Sequence, residues 1–136
     1  MKKSLNKLVD QAKVIFWDFD GVIKDSVKVK SLAFERLFSD YGNNIVDRVR
    51  AHHERNGGVS RFEKIPLYLS WSNEVVTSKK TQEFYDRFSL LVKQSVVESQ
   101  WVPGFLEFIG RYYKVKKHIL VTATPIEEIE EILQEL

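Results

Sequence analysis

The run Val14-Ile15-Phe16-Trp17 is apolar at every position and stops at Asp18. A strand solvated on one face alternates apolar and polar residues. A run without alternation suits a strand covered on both faces, as in a parallel sheet flanked by helices. A second run of this kind, Ile119-Leu120-Val121, stops at Thr122. Roughly a hundred residues separate the two, whereas a parallel crossover needs only a dozen or more. The excess predicts an insertion with its own packing, and the chain reads as α/β.

The intervening sequence is helical in pattern. A first helix is expected from near Ser26 to Tyr41, with Leu32, Phe34, Leu37, Phe38 and Tyr41 on its buried side and Gly42 ending it. A second runs from about Asn44 to Arg55 and stops at Asn56-Gly57-Gly58. A third opens at Ser60, with Glu63 as a capping-box partner, although Pro66 inside it removes a backbone donor. A long fourth spans about Lys79 to Glu98, with Phe84, Phe88, Leu91, Val92, Ser95 and Val96 at helical spacing. Pro103-Gly104 marks the return to the sheet, and Phe105 to Tyr112 supply the crossover helix. Leu5, Leu8, Val9 and Ala12 form the apolar side of a short leading helix packed on the domain.

Composition bounds the function. A chain of 136 residues is one domain, or one with a modest insertion. The absence of cysteine excludes thiolate zinc sites and cysteine nucleophiles. A net charge of +2 gives no electrostatic case for nucleic acid. Neither a signal-peptide core nor a stretch long enough to span a bilayer is present, so the expected location is the cytoplasm, with no membrane partner.

Chemistry concentrates in Asp18-Phe19-Asp20-Gly21-Val22-Ile23-Lys24-Asp25-Ser26. Two carboxylates one residue apart, at the C-terminal end of a parallel strand, both reach the crevice where open sheets bind ligands. An aspartate there can attack phosphorus to form an aspartyl-phosphate, and a second can protonate the leaving oxygen. Two like charges beside a phosphate call for a cation, and Mg²⁺ suits a site of few carboxylates plus water and phosphate. The pattern D-x-D-G-x-x-x-D-S arises by chance in roughly one chain of this length in ten thousand.

These nine residues resemble the first motif of the haloacid dehalogenase superfamily. The resemblance implies Asp18 as nucleophile, Asp20 as general acid and base, and Mg²⁺ held by the Asp18 carboxylate and the Asp20 main-chain carbonyl. It also disfavours carbon–halogen cleavage, because dehalogenases of the superfamily lack the second aspartate. Ile119 to Pro125 is similar to the second motif, which places Thr122, with the Ala123 backbone, on the transferring phosphoryl group. Thr124-Pro125-Ile126-Glu127 reads as an N-cap, a first-turn proline and a capping-box glutamate.

A helical cap directly after the first motif marks the branch that includes phosphoglycolate phosphatases, sugar-phosphate phosphatases and β-phosphoglucomutase-like proteins. The implied architecture is a partial Rossmann-like parallel sheet (residues 1–25 and 99–136) with an inserted α-helical cap (residues 26–98). In this branch cap residues choose the substrate, here a small phosphorylated metabolite. Arg55 and Arg61, flanking the Gly57-Gly58 turn, are the candidate substrate contacts, with Lys64 behind them. His52 and His53 are expected to be exposed, and Trp71 and Trp101 to be core.

The superfamily's later lysine and acidic metal-binding motifs have no counterpart before Leu136, and Lys116, Lys117 and Glu128 are not assigned to them. The chain thus resembles the first half of a complete member, with phosphatase, phosphomutase and non-catalytic phosphate binder all open. Expressed alone, this polypeptide should be poorly soluble or partly unfolded, and nearly inactive. A cooperative thermal transition together with robust Mg²⁺-dependent turnover would contradict that expectation.

Overall fold

The computed structural model describes residues 2–136, and Met1 lies outside the described residues. In chain order the elements are α1 (Lys2–Gln11), β1 (Val14–Trp17), α2 (Val27–Leu37), α3 (Asn43–Arg55), α4 (Arg61–Ser70), α5 (Ser78–Glu98), α6 (Phe105–Tyr112), β2 (Lys117–Leu120) and α7 (Ile126–Glu135). The two strands pair in parallel, Val14 opposite Lys117 and Trp17 opposite Leu120. The Val121 N–H donates to the Trp17 carbonyl at 2.7 Å and extends the ladder past the last pair. This is the α/β arrangement expected, with β2 starting and ending earlier than its apolar run.

The expectation that β1 is covered on both faces is corrected. Its residues alternate, with Val14 and Phe16 exposed and Ile15 and Trp17 half-buried. The cover on one face comes from α6: Phe105 and Phe108 meet the Trp17 ring edge-on, at 5.2 and 5.4 Å between centroids. The Trp17 indole N–H also donates to His118 Nδ1 at 3.0 Å, and His118 Nε2 lies 3.2 Å from the Tyr112 carbonyl. That pairing makes His118 a neutral ring carrying its hydrogen on Nε2. On the other face Phe16 remains 67% exposed. Leu5 and Leu8 of α1 are likewise exposed rather than packed.

The inserted helices pack around aromatic rings, as an amphipathic pattern without a second sheet layer requires. Phe34 of α2 and Phe38, just past its end, meet Tyr68 of α4 edge-on, and the Phe34 ring lies 4.2 Å from that of Phe88 of α5 between centroids. Phe84, Phe88, Val92 and Val96 form the buried stripe of α5, at four-residue spacing. The same core continues without a break into Phe19 and into Ile129 and Ile132 of α7. Helix α2 ends at Leu37, and the expected continuation to Tyr41 is a separate 3₁₀ turn, Ser39–Tyr41.

Pro66 sits inside α4 without breaking it. A proline cannot donate to the carbonyl four residues back, here that of Phe62, and the Tyr85 hydroxyl donates to that oxygen instead, at 3.2 Å. Ser60 caps the helix, accepting from the Phe62 N–H at 3.2 Å. Among the described residues no helix is long and apolar enough to cross a membrane. Truncating Phe88, which contacts both Phe34 and the Arg61 guanidinium, should cost about 3–5 kcal/mol, read as a lower urea midpoint for Phe88→Ala in the intact protein.

Candidate active site

Asp18 directly follows the last paired residue of β1, and Val121 directly follows that of β2. The parallel register therefore delivers both loops to one end of the sheet. Phe19 is fully buried and anchors the first loop. Its carbonyl accepts from Val22 and Ile23, closing a tight turn in which Gly21 adopts φ +77°. A Cβ at Gly21 would lie 3.1 Å from Val27 Cγ2, so glycine serves both the backbone conformation and the close approach of α2. The turn is stapled to the segment after α5, where Asp25 N–H donates to the Gln100 carbonyl and Val102 N–H to that of Ile23. Buried Lys24 completes the staple, donating to the Val97 carbonyl at 3.1 Å while its ammonium lies 4.4 Å from the Trp101 ring centre.

A cleft of about 170 Å³ opens at this end, lined by Asp18, Asp20, Lys30, His53, Ala123 and the Gly57-Gly58 turn. Asp18 is exposed to it, with one carboxylate oxygen accepting from the Phe19 N–H at 2.7 Å. Asp20 is half-buried and held at both oxygens: Ser26 donates its hydroxyl to one at 2.5 Å, and the Lys30 ammonium donates to the other at 2.5 Å. The two predicted carboxylates and Ala123 thus share one opening. Thr122 does not line it, and its hydroxyl oxygen accepts from the Thr124 N–H at 3.2 Å.

The expectation that Thr124 caps α7 is also corrected. The helix begins at Ile126 with Pro125 as its flanking residue, and no side chain caps it. The buried Thr124 hydroxyl instead accepts from Lys30 at 2.9 Å.

Behind the cleft the cap-side residues differ from the surface loop that their charge suggests. His53 is buried rather than exposed, its Nδ1 3.0 Å from the equally buried Lys64 ammonium. His52 is half-buried, its Nδ1 2.9 Å from the Tyr68 hydroxyl. Arg61 is buried too, and its fork is closed on Glu128 of α7 by two hydrogen bonds of 2.6 and 2.7 Å, with Ser89 of α5 bridging both groups. Arg55 is exposed in the last turn of α3 and lines neither the cleft nor the narrow pocket beneath it. The pattern of alternating charges hid this, because which side of a turn faces inward depends on helix crossing, not on residue type.

No family model matches the sequence. Solved structures do match the fold. A hydrolase from Pseudomonas syringae superposes with a TM-score of 0.66 at 17% identity, over 92% of this chain and 56% of the other. A protein from Thermotoga maritima assigned as a beta-phosphoglucomutase gives a TM-score of 0.56 at 24% identity, over 91% of this chain and 56% of the other. The fold is haloacid dehalogenase-like. The chain spans about half the length of each of these structures.

Burial is the main reason that His53 is held down to about 4, with the Lys64 and Lys30 charges adding to it. Burial likewise holds Lys64 down to about 8, with Lys30 acting in the same direction and Asp20 opposing it. A histidine at 4 in the fold and 6.5 in the unfolded chain takes up a proton on unfolding between those values. Its stabilising contribution is therefore full above pH 6.5 and lost as pH falls toward 4. For Lys64 the cost of a buried ammonium is full below pH 8 and relieved as pH rises from 8 to 10.5. Chemical denaturation across pH 4 to 6.5 should show stability falling with acidification, and His53→Asn should flatten that slope.

Proposed function

We propose that the whole protein is a Mg²⁺-dependent phosphatase that hydrolyses a small phosphomonoester, a sugar phosphate or carboxylic-acid phosphate, through an aspartyl-phosphate on Asp18. The observation that carries this reading is the shared cleft. An exposed carboxylate and a second, firmly held one stand together at the end of a parallel strand pair, where a nucleophile and a proton donor are both needed.

In the first step an Asp18 carboxylate oxygen bonds to phosphorus as the ester P–O bond breaks, and Asp20 gives a proton to the departing oxygen. In the second a water attacks the same phosphorus, its proton passing to Asp20, and the Asp18–phosphorus bond breaks to release inorganic phosphate. Ala123 lines the cleft, and in this reading its backbone N–H receives phosphoryl oxygens, while Thr122 stands outside the cleft one residue earlier in the same loop. Arg61 becomes a substrate contact only by leaving Glu128, and Arg55 only by a movement of the α3 terminus.

The donors fit a hard cation. The Asp18 carboxylate and the Asp20 main-chain oxygen would hold Mg²⁺, with water and substrate phosphate completing its shell. Among the described residues no three acidic or histidine side chains converge on a metal position, and the proposed ligands are these two oxygens. When bound, the ion offsets the repulsion between carboxylate and phosphate and polarises the P–O bond.

The likeness to a protein assigned as a beta-phosphoglucomutase supports a second reading, in which the same phosphoenzyme returns its phosphate to a second substrate hydroxyl. Incubating the intact gene product with beryllofluoride or a phosphate donor, followed by peptide mass mapping, tests the shared step. The expected result is a Mg²⁺-dependent adduct on the peptide containing Asp18, lost in Asp18→Asn. No adduct with any donor would remove both enzymatic readings and leave a phosphate-binding module. Transfer of the phosphate to sugar rather than water would select the mutase.

A further inference from the structure

Lys30 belongs to neither motif, yet it touches the loops that carry both. It is buried in the first turn of α2, with its ammonium 2.5 Å from one Asp20 oxygen and 2.9 Å from the Thr124 hydroxyl. The other Asp20 oxygen is taken by Ser26, one helical turn before Lys30. Ser26 occupies the N-cap position of α2 but makes no side-chain cap bond. A serine in that position ordinarily satisfies a free backbone N–H of the helix, and here its hydroxyl is turned to Asp20 instead. The start of α2 thus places two donors on one carboxylate, one oxygen each.

The surroundings favour a directional role over simple neutralisation. Lys64 and His53 also face this position, and both sense the Asp20 charge, so a nearby positive charge would remain without Lys30. What Lys30 adds is a fixed line from Asp20, after β1, to Thr124, after β2. A carboxylate oxygen that accepts one hydrogen bond keeps a second lone pair, and fixing the carboxylate plane decides where that lone pair points.

We propose that Lys30 is a positioning residue for proton transfer by Asp20, locking the carboxylate so that its free lone pair faces the leaving oxygen of the substrate. The inference rests on the phosphoryl-transfer reading of Asp18. In the step concerned the ester P–O bond breaks, its electron pair goes to the departing oxygen, and that oxygen takes the proton from Asp20. Lys30 exchanges no proton.

The test uses the dependence on leaving group. An alkyl phosphate needs its departing oxygen protonated, whereas 4-nitrophenyl phosphate expels a stabilised phenolate with little help. First-turnover alcohol or nitrophenol release is measured for the wild-type protein, Lys30→Met and Thr124→Val. Lys30→Met should lose about 100-fold more rate on the alkyl ester than on the nitrophenyl ester, the scale of general acid catalysis. Thr124→Val, which removes only the far end of the bridge, should show the same bias at smaller size, and it carries the test if Lys30→Met does not fold. Equal losses on both esters in the folded variants would overturn the inference and make Lys30 a structural ion pair. A wild-type protein that forms no phosphoenzyme on Asp18 would instead bring down the underlying reading, and this inference with it.

Discussion

Everything at the cleft depends on the parallel pairing of two four-residue strands that lie a hundred positions apart in the chain. Parallel neighbours end on the same side of a sheet, so matching Trp17 with Leu120 brings the residues after each to one opening. A shift of one residue in that register would turn every side chain of a strand to the opposite face. Trp17 guards against such a shift: its ring is boxed by Phe105 and Phe108, and its N–H is fixed by His118 on the neighbouring strand. An indole buried without that acceptor would carry an unmet donor.

The second organising constraint is charge. The cleft and the pocket beneath it gather Asp20, Lys30, His53, Arg61 and Lys64 in a largely buried region. Each charge is answered: Asp20 by Lys30 and Ser26, Arg61 by Glu128 and Ser89, and Lys64 by the lone pair of a neutral His53. The Arg61–Glu128 pair and the Lys30–Thr124 hydrogen bond join inserted helices to α7 and to the loop before it. Helix packing and the electrostatics of the cleft are therefore one problem, and Thr124 and Glu128 are its anchor points on the sheet side.

Much of this was legible in the sequence. The unbroken run before Asp18 marked a strand, the four-residue spacing of Phe84, Phe88, Val92 and Val96 marked α5, and Ser60 marked the start of α4. Asp18 and Asp20 stood out because a short motif with two carboxylates and a glycine is rarely accidental. What escaped were residues whose role depends on which way a helix is turned. Nothing in Val27-Lys28-Val29-Lys30 sets the second lysine apart from the first, and nothing in the run of glutamates around Glu128 sets that one apart. His53 differed from His52 only by the rotation of one residue along α3, yet one is buried against Lys64 and the other reaches Tyr68. The coverage of β1 was misjudged because an apolar run shows which faces can be buried, not which are.

The Arg61–Glu128 fork has a bearing on how this sequence can drift. Cutting back either partner strands an ion in the interior, at a cost of about 3–5 kcal/mol, whereas exchanging both for well-fitting apolar side chains can be neutral or better. With the two groups 4% and 7% exposed, single replacements are a valley between two habitable hills. Descendants of this chain should therefore carry both residues or neither, and a lineage holding one alone would mark a crossing in progress.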